Sequence, residues 1–356
     1  MSKVVTIPAL CDLHVHFRDP GYTDKEDITS GLAAMKAGGY SDVFCMPNTN
    51  PVIDNEETIK YILDKGKGYV SPVGSITKGM AGIELADFAM YKRLGVRLIS
   101  DDGKPIKNNE LMRQAFIEAE KYGLLIVDHC EDLDIIDGGI INKGEISEKL
   151  GVRGMDRLSE DLITARDIII ASELGTRIHI CHVSTKGSVE IIKAAKARGI
   201  KVTAETAPHY FWYTDEKLLS KDADYRMNPP LRTEADRAAI EAAVIDGTID
   251  CICTDHAPHT PAQKKDFLTA PNGVIGLETA FAASYTHLVK SGLIPLERLI
   301  ELMSTKPREI AGLPKTDKSI TVDLEAEYTV EPSQMKSKGR NCVFKGEKLF
   351  GKIQEI

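Results

Sequence analysis

One unit recurs along this chain and limits its fold more than any other feature: a short apolar strand, a loop, an amphipathic helix, a glycine, the next strand. The strand candidates are IPALCDLHV (7–15), SDVFCMP (41–47), YVSPVGSI (69–76), VRLIS (96–100), LLIVDHC (124–130), RIHICHVS (177–184), KVTAETA (201–207) and IDCICTDHA (249–257). The helical patterns between them close on Gly38, Gly66, Gly95, Gly123, Gly175, Gly199 and Gly247, and an eighth runs over 276–292. A glycine just past a helix is the left-handed stop from which the chain turns back into a strand. Strict alternation with apolar strands implies a parallel sheet covered by helices, an α/β fold. Eight units predict a (β/α)8 TIM-type barrel. A doubly wound open sheet is the alternative, but it calls for a glycine-rich phosphate loop after the first strand, which is absent.

Past residue 293 come short helical stretches (LERLIELMS, PREIAGL), then SITVDLEAEYTV and CVFKGEKLFGKIQEI, which read as strands. The expected division is a barrel carrying a metal site over 1–312, and an accessory β segment over 313–356 packed on it as a small, reduced sheet.

The net charge is -8 and no basic tract stands out, which argues against nucleic acid as a partner. No apolar run approaches a membrane span, and the start lacks the pattern of an export signal, so a cytoplasmic protein is expected. The seven cysteines lie in or beside apolar runs (Cys45, Cys130, Cys181, Cys251 and Cys253 among them) without a paired framework, so they read as reduced and buried.

Chemistry in such a barrel sits where the strands end. His14 and His16 end strand one, in DLHVHFRDPG; alternate residues of a strand share a face, and Arg18 joins them if the strand continues. Asp101 and Asp102 end strand four, His129 strand five, His182 strand six and Asp255 strand eight. Four histidines and acids from five strands thus converge on one mouth. Imidazole and carboxylate donors suit zinc or another divalent metal. Five or six ligands exceed the needs of one catalytic ion, whereas two ions bridged by a carboxylate and a hydroxide account for the number. Arg18, Asn48 (in MPNTNP), Asn228 (in RMNPPLR) and His259 reach the same mouth, and Arg18, Asn48 and His259 together could hold a carboxylate. His179, His209 and His256 read as supporting or core groups, and His287 lies on a helix with no role. The polar stretch from His259 to Gly273 reads as a lid.

The series HVHFRDPG, MPNTNP, SDDG, DHCED, CHVST, NPPLR, TDHAPH and PNGVIGLETAF resembles, in order from residue 12 to about 312, the dihydroorotases of the class I bacterial type, within the amidohydrolase superfamily. The resemblance implies metal ligands at His14, His16, Asp102, His129, His182 and Asp255. It places Asp102 in the bridging position that other amidohydrolases give to a carboxylated lysine. Lys92 lies a helix away from that place. The implied substrate contacts are Arg18, Asn48, Asn228, His259 and the backbone around Gly273. The implied cofactor is zinc, as two ions per chain or one, with a bridging hydroxide.

The implied reaction is the reversible hydrolysis of L-dihydroorotate to N-carbamoyl-L-aspartate in pyrimidine synthesis, with Asp255 as the catalytic proton carrier. The rivals are an allantoinase or hydantoinase type of cyclic amidase, and a non-catalytic subunit scaffolding aspartate carbamoyltransferase. A homodimer and a complex with that enzyme are both compatible with the resemblance. Relatives of this type carry several strands ahead of the HxH; here 13 residues precede His14, hence the expectation of a reduced sheet.

Overall fold

The computed structural model describes residues 3–355. Its strands in chain order are β1 (Val4–Pro8), β2 (Leu10–Val15), β3 (Tyr40–Cys45), β4 (Val70–Pro72), β5 (Leu98–Ile99), β6 (Leu125–Asp128), β7 (Ile141–Asn142), β8 (Gly154–Met155), β9 (Ile178–Ile180), β10 (Val202–Thr206), β11 (Cys251–Ile252), β12 (Ser319–Thr329) and β13 (Lys348–Glu355). All eight strands read from the repeat are present. They form two parallel ladders, β2–β3–β4 and β5–β6–β9–β10–β11. Single bridges join the ladders into a barrel. Gly74 pairs with Ile99 across one seam, where Ser100 N donates to Gly74 O at 2.9 Å. Val15 pairs with His256 across the other, where His16 N donates to His256 O at 2.8 Å.

A packed cluster drawn from seven of these staves (Cys11, Phe44, Val73, Leu98, Val127, Cys181 and Cys251 among its members) fills the lumen and rests on Ile310 and Ala311. A second, larger cluster lies between the staves and the helices. All seven cysteines are buried and free.

The helical stops follow the pattern with two shifts. Gly123, Gly175 and Gly247 are left-handed directly after their helices. After Ile28–Ala37, however, the left-handed residue is Gly39, and after Glu56–Gly66 it is Lys67. Gly38 is required for closeness instead: a Cβ there would lie 2.0 Å from the Leu277 carbonyl oxygen.

Two features were not legible in the pattern. First, the predicted strand 7–15 is broken at Ala9. Its first part belongs to β1, which pairs antiparallel with β12, itself paired with β13, so the small sheet is not built from the C-terminal strands alone. Ile7, Ile320, Val322 and Leu349 bury its inner face in the same core as the barrel helices. Secondly, residues 141–155 make an excursion in which β7 and β8 pair in parallel around the helix Glu145–Leu150. Ile141 and Ile146 pack there with Leu218 and Phe267.

Candidate metal centre and active site

The strand β2 stops at Val15 and does not carry on to Arg18, whose backbone turns left-handed at φ 60°. Arg18 nevertheless faces the same pocket as His16. His182 (φ 31°) and Asp255 (φ 48°) share this conformation, which side-chain-bearing residues rarely adopt. Strain of this kind, of order 1–3 kcal/mol per residue, persists where surrounding contacts enforce it. Here it turns three strand ends inward.

The six predicted ligands form one buried cluster centred on Asp102. Its Oδ1 lies 3.4 Å from His14 Nε2, 3.3 Å from His129 Nδ1 and 3.7 Å from His182 Nε2, and its Oδ2 lies 3.5 Å from His16 Nε2. Asp255 Oδ1 lies 3.2 Å from His16 Nε2 and 3.6 Å from His14 Nε2. Burial pushes the Asp102 carboxyl up, but His14 and His129 outweigh it and hold the group well below the usual carboxylate range. Asp101 points elsewhere. It accepts from Ile76 N at 2.8 Å, from Thr77 N at 3.1 Å and from the Thr77 hydroxyl.

The donor set fits a divalent metal. His14 Nε2 is wholly buried, aimed into the cluster, and has no hydrogen-bond partner among the described residues. The outward nitrogens of three histidines have acceptors: Glu205 for His14 Nδ1 (2.9 Å), Asn48 Oδ1 for His16 Nδ1 (2.9 Å) and Glu131 for His129 Nε2 (3.2 Å). Such partners fix the tautomer and aim the other nitrogen at an ion. No lysine lines the pocket, and Lys92 is exposed on its helix.

Sequence reading missed Glu205, Glu131 and Asp12. Glu205 also meets His179 Nε2 at 3.1 Å, which gives that histidine a supporting place. The signal was an acid within the apolar strand KVTAETA. Asp12, fully buried, accepts from His14 N and Thr254 N and so ties the ends of β2 and β11 together beside His14 and Asp255. Of the remaining histidines, His256 accepts from Gly276 N and faces Glu26; His287 pairs with Glu241; His209 is buried with Nε2 unpartnered.

Above the cluster is a pocket of about 230 Å³ lined by Arg18, Asn48, Asn228, His259 and Gly273 together with His16, Asp102, His129, His182 and Asp255. Among the described residues the Arg18 side chain has no ion pair or hydrogen bond, and its Nε is buried. Asn228 Oδ1 is likewise buried and unpartnered. His259 Nε2 donates to the Asn272 carbonyl at 2.8 Å, leaving Nδ1 unpaired. Burial, and then Arg18, push this imidazole down to about 2. Asn48 is not free: besides holding His16, its amide nitrogen donates to Asp102 Oδ2 at 3.3 Å. A Cβ at Gly273 would come 2.9 Å from His259 Nε2.

A family model described as dihydro-orotase-like matches residues 3–188. The dihydroorotase of Trichlorobacter lovleyi is 47% identical, over 98% of this chain and 85% of its own. Those of Citrifermentans bemidjiense and Acetivibrio thermocellus are each 44% identical, over 99% and 98% of this chain and 85% of theirs. Among solved structures, the dihydropyrimidinase from Brevibacillus agri superposes with a TM-score of 0.84 at 19% identity, covering 98% of this chain and 82% of that one. The L-hydantoinase from Arthrobacter aurescens gives 0.84 at 22%, with the same coverage. At those identities the likeness speaks for the fold.

Proposed function

Because this chain belongs to the dihydroorotase-like family, we propose that it opens and closes a carboxylated cyclic amide, interconverting L-dihydroorotate and N-carbamoyl-L-aspartate in pyrimidine synthesis. The observation that carries the choice of substrate is Arg18, a cation on the rim of a metal-type cluster with no partner of its own. A planar guanidinium grips a carboxylate with two parallel hydrogen bonds.

His14, His16, His129, His182, Asp102 and Asp255 would hold the metal. Zinc, as one ion or two, would suit a site in which Asp102 approaches all four histidines. Bound there, such ions supply Lewis acidity to a carbonyl oxygen and lower the pKa of water.

The chain's own groups do the rest. Asp255, held ionised by His16 and His14 against the upward push of burial, takes the proton of the attacking water and passes it to the ring nitrogen as the amide opens. In the synthetic direction it returns the proton as water leaves. Arg18 holds the exocyclic carboxylate, and His259 faces the same group. Burial and Arg18 hold its imidazole neutral, and a bound carboxylate would bring the counter-charge that favours a second proton on the ring. Asn228 Oδ1, a buried acceptor without a donor, takes a ring N–H. Asn48 acts through His16 and Asp102 as much as on the substrate.

Turnover by the purified chain alone separates this reading from a scaffolding subunit, and its native mass separates a monomer from a dimer. Arg18→Lys separates it from a neutral-ring amidase, such as the hydantoinases whose fold this chain shares. One charge-assisted bond is worth ~1.5–3 kcal/mol, so kcat/KM for dihydroorotate should fall roughly ten- to a hundredfold, with metal content unchanged. Loss on hydantoin or dihydrouracil should be much smaller. Equal losses on charged and neutral rings would remove the case for a carboxylated substrate.

A further inference from the structure

Lys264 is buried in the stretch from His259 to Gly273, whose two ends line the pocket, yet it faces no carboxylate within ion-pair reach among the described residues. Its Nζ donates to three backbone carbonyls: Arg226 at 3.1 Å, Pro271 at 3.0 Å and Gly273 at 3.1 Å. Three donors thus meet three acceptors, which is how an ammonium is held out of water. The carbonyls come from two segments that flank the substrate space. One leads from Arg226 to Asn228; the other runs from Pro271 through Asn272, which accepts from His259, to Gly273. Gly273 N donates to Arg226 O at 3.0 Å, so Lys264 caps a junction already made. Arg226 grips the same stretch through Asn272 Oδ1 and Phe267 O, and Asn341 holds Gly273 O from the C-terminal side. Burial pulls the lysine down to about 7, opposed by Asp224.

We propose that Lys264 is a positioning residue for the substrate pocket: by tying 271–273 to 226–228 it sets His259 and Asn228 toward the ring without touching it. The proposal rests on the function above for the identity of the ring. It also makes the stretch 259–273 a pinned wall in this state, where the sequence led us to expect a lid.

The test uses the metal-loaded full chain. Lys264→Met, similar in volume but without donors, should raise KM for dihydroorotate about tenfold, change kcat less than about threefold, and leave metal content unaltered. Lys264→Ala should regain much of the lost affinity with ethylammonium, which has N–H donors, and not with tetramethylammonium, which has none. Independently of any substrate, chymotrypsin should cut at Phe267 or Leu268 faster in both variants. A KM within about twofold of wild type together with unchanged cutting would overturn the proposal, and so would a joint fall of kcat, metal content and Tm without amine rescue. Should the wild type fail to turn over dihydroorotate, the function above falls, and the chymotrypsin comparison alone decides the role of Lys264.

Discussion

Glu205 Oε1 stands 2.9 Å from His14 Nδ1, on the far side of the ring from Asp102. The carboxylate receives the Nδ1 proton and leaves Nε2 as a bare donor. Glu205→Gln weakens that hold, because an amide can turn an N–H toward the ring and the negative charge is gone. Removal of such a partner typically costs ten- to a hundredfold in metal affinity. Competition with a chelator should show a loss of about that size in Glu205→Gln, and an affinity equal to wild type would deny Glu205 this role.

The two aspartates of SDDG should fail in different ways. Asp102→Ala removes the group that approaches all four histidines, so metal per chain should drop sharply. Asp101→Ala leaves the ligands in place but strips Ile76 N and Thr77 N of their acceptor, at ~1–3 kcal/mol per unsatisfied group. Its signature is a lowered Tm with metal bound. Metal analysis beside a thermal melt checks both, and a reversed ranking would mean that Asp101 is the ligand.

Asp255→Asn should keep most of the metal and the fold, since an amide oxygen still ligates weakly. Activity should fall by ~10²–10⁴, the usual worth of a proton-transferring side chain. More than half the wild-type rate would require another proton carrier.

His259 ties stability to pH. In the folded chain burial and Arg18 hold it at about 2, against an ordinary value of 6.5. Between those limits the unfolded chain binds a proton that the folded chain refuses, so the stability contributed is complete above 6.5 and is lost as pH falls. At pH 4.5 the loss is about 2–3 kcal/mol. His259→Asn, which does not titrate, should therefore flatten the fall of Tm between pH 6.5 and 4.5. An unchanged slope would show that the imidazole is protonated in the folded state.

The staves, and the gathering of the histidines and aspartates at one mouth, were legible because both rest on local signals. Apolar runs bounded by loops mark strands, and His or Asp at a strand's end marks the mouth of a barrel. What escaped was held by distant partners. Glu205 meets His14 across 191 residues, and Asp12 meets Thr254 across 242. Nothing within a few residues of either announces the pairing. The break at Ala9 was hidden for a related reason: apolar residues on both sides of it bury equally well, one set in the small sheet and one in the barrel. The two-residue strands β7 and β8 are too short to carry a period at all. Asn48 shows the limit of reading a residue by its place at the mouth, since both ends of its amide are spent on His16 and Asp102.

The seam between β2 and β11 is closed by one bridge, a backbone hydrogen bond and the Asp12 carboxylate. His14 and His16 approach it from one side and Asp255 from the other. An ion shared by those three side chains would act as the rivet of a hoop, pinning the first stave to the last. Occupancy and closure then become one equilibrium, in which each tenfold rise in free metal above its dissociation constant adds about 1.4 kcal/mol against unfolding. A bound metal would, in that sense, reinforce the circumference of the barrel that the backbone bridges already join.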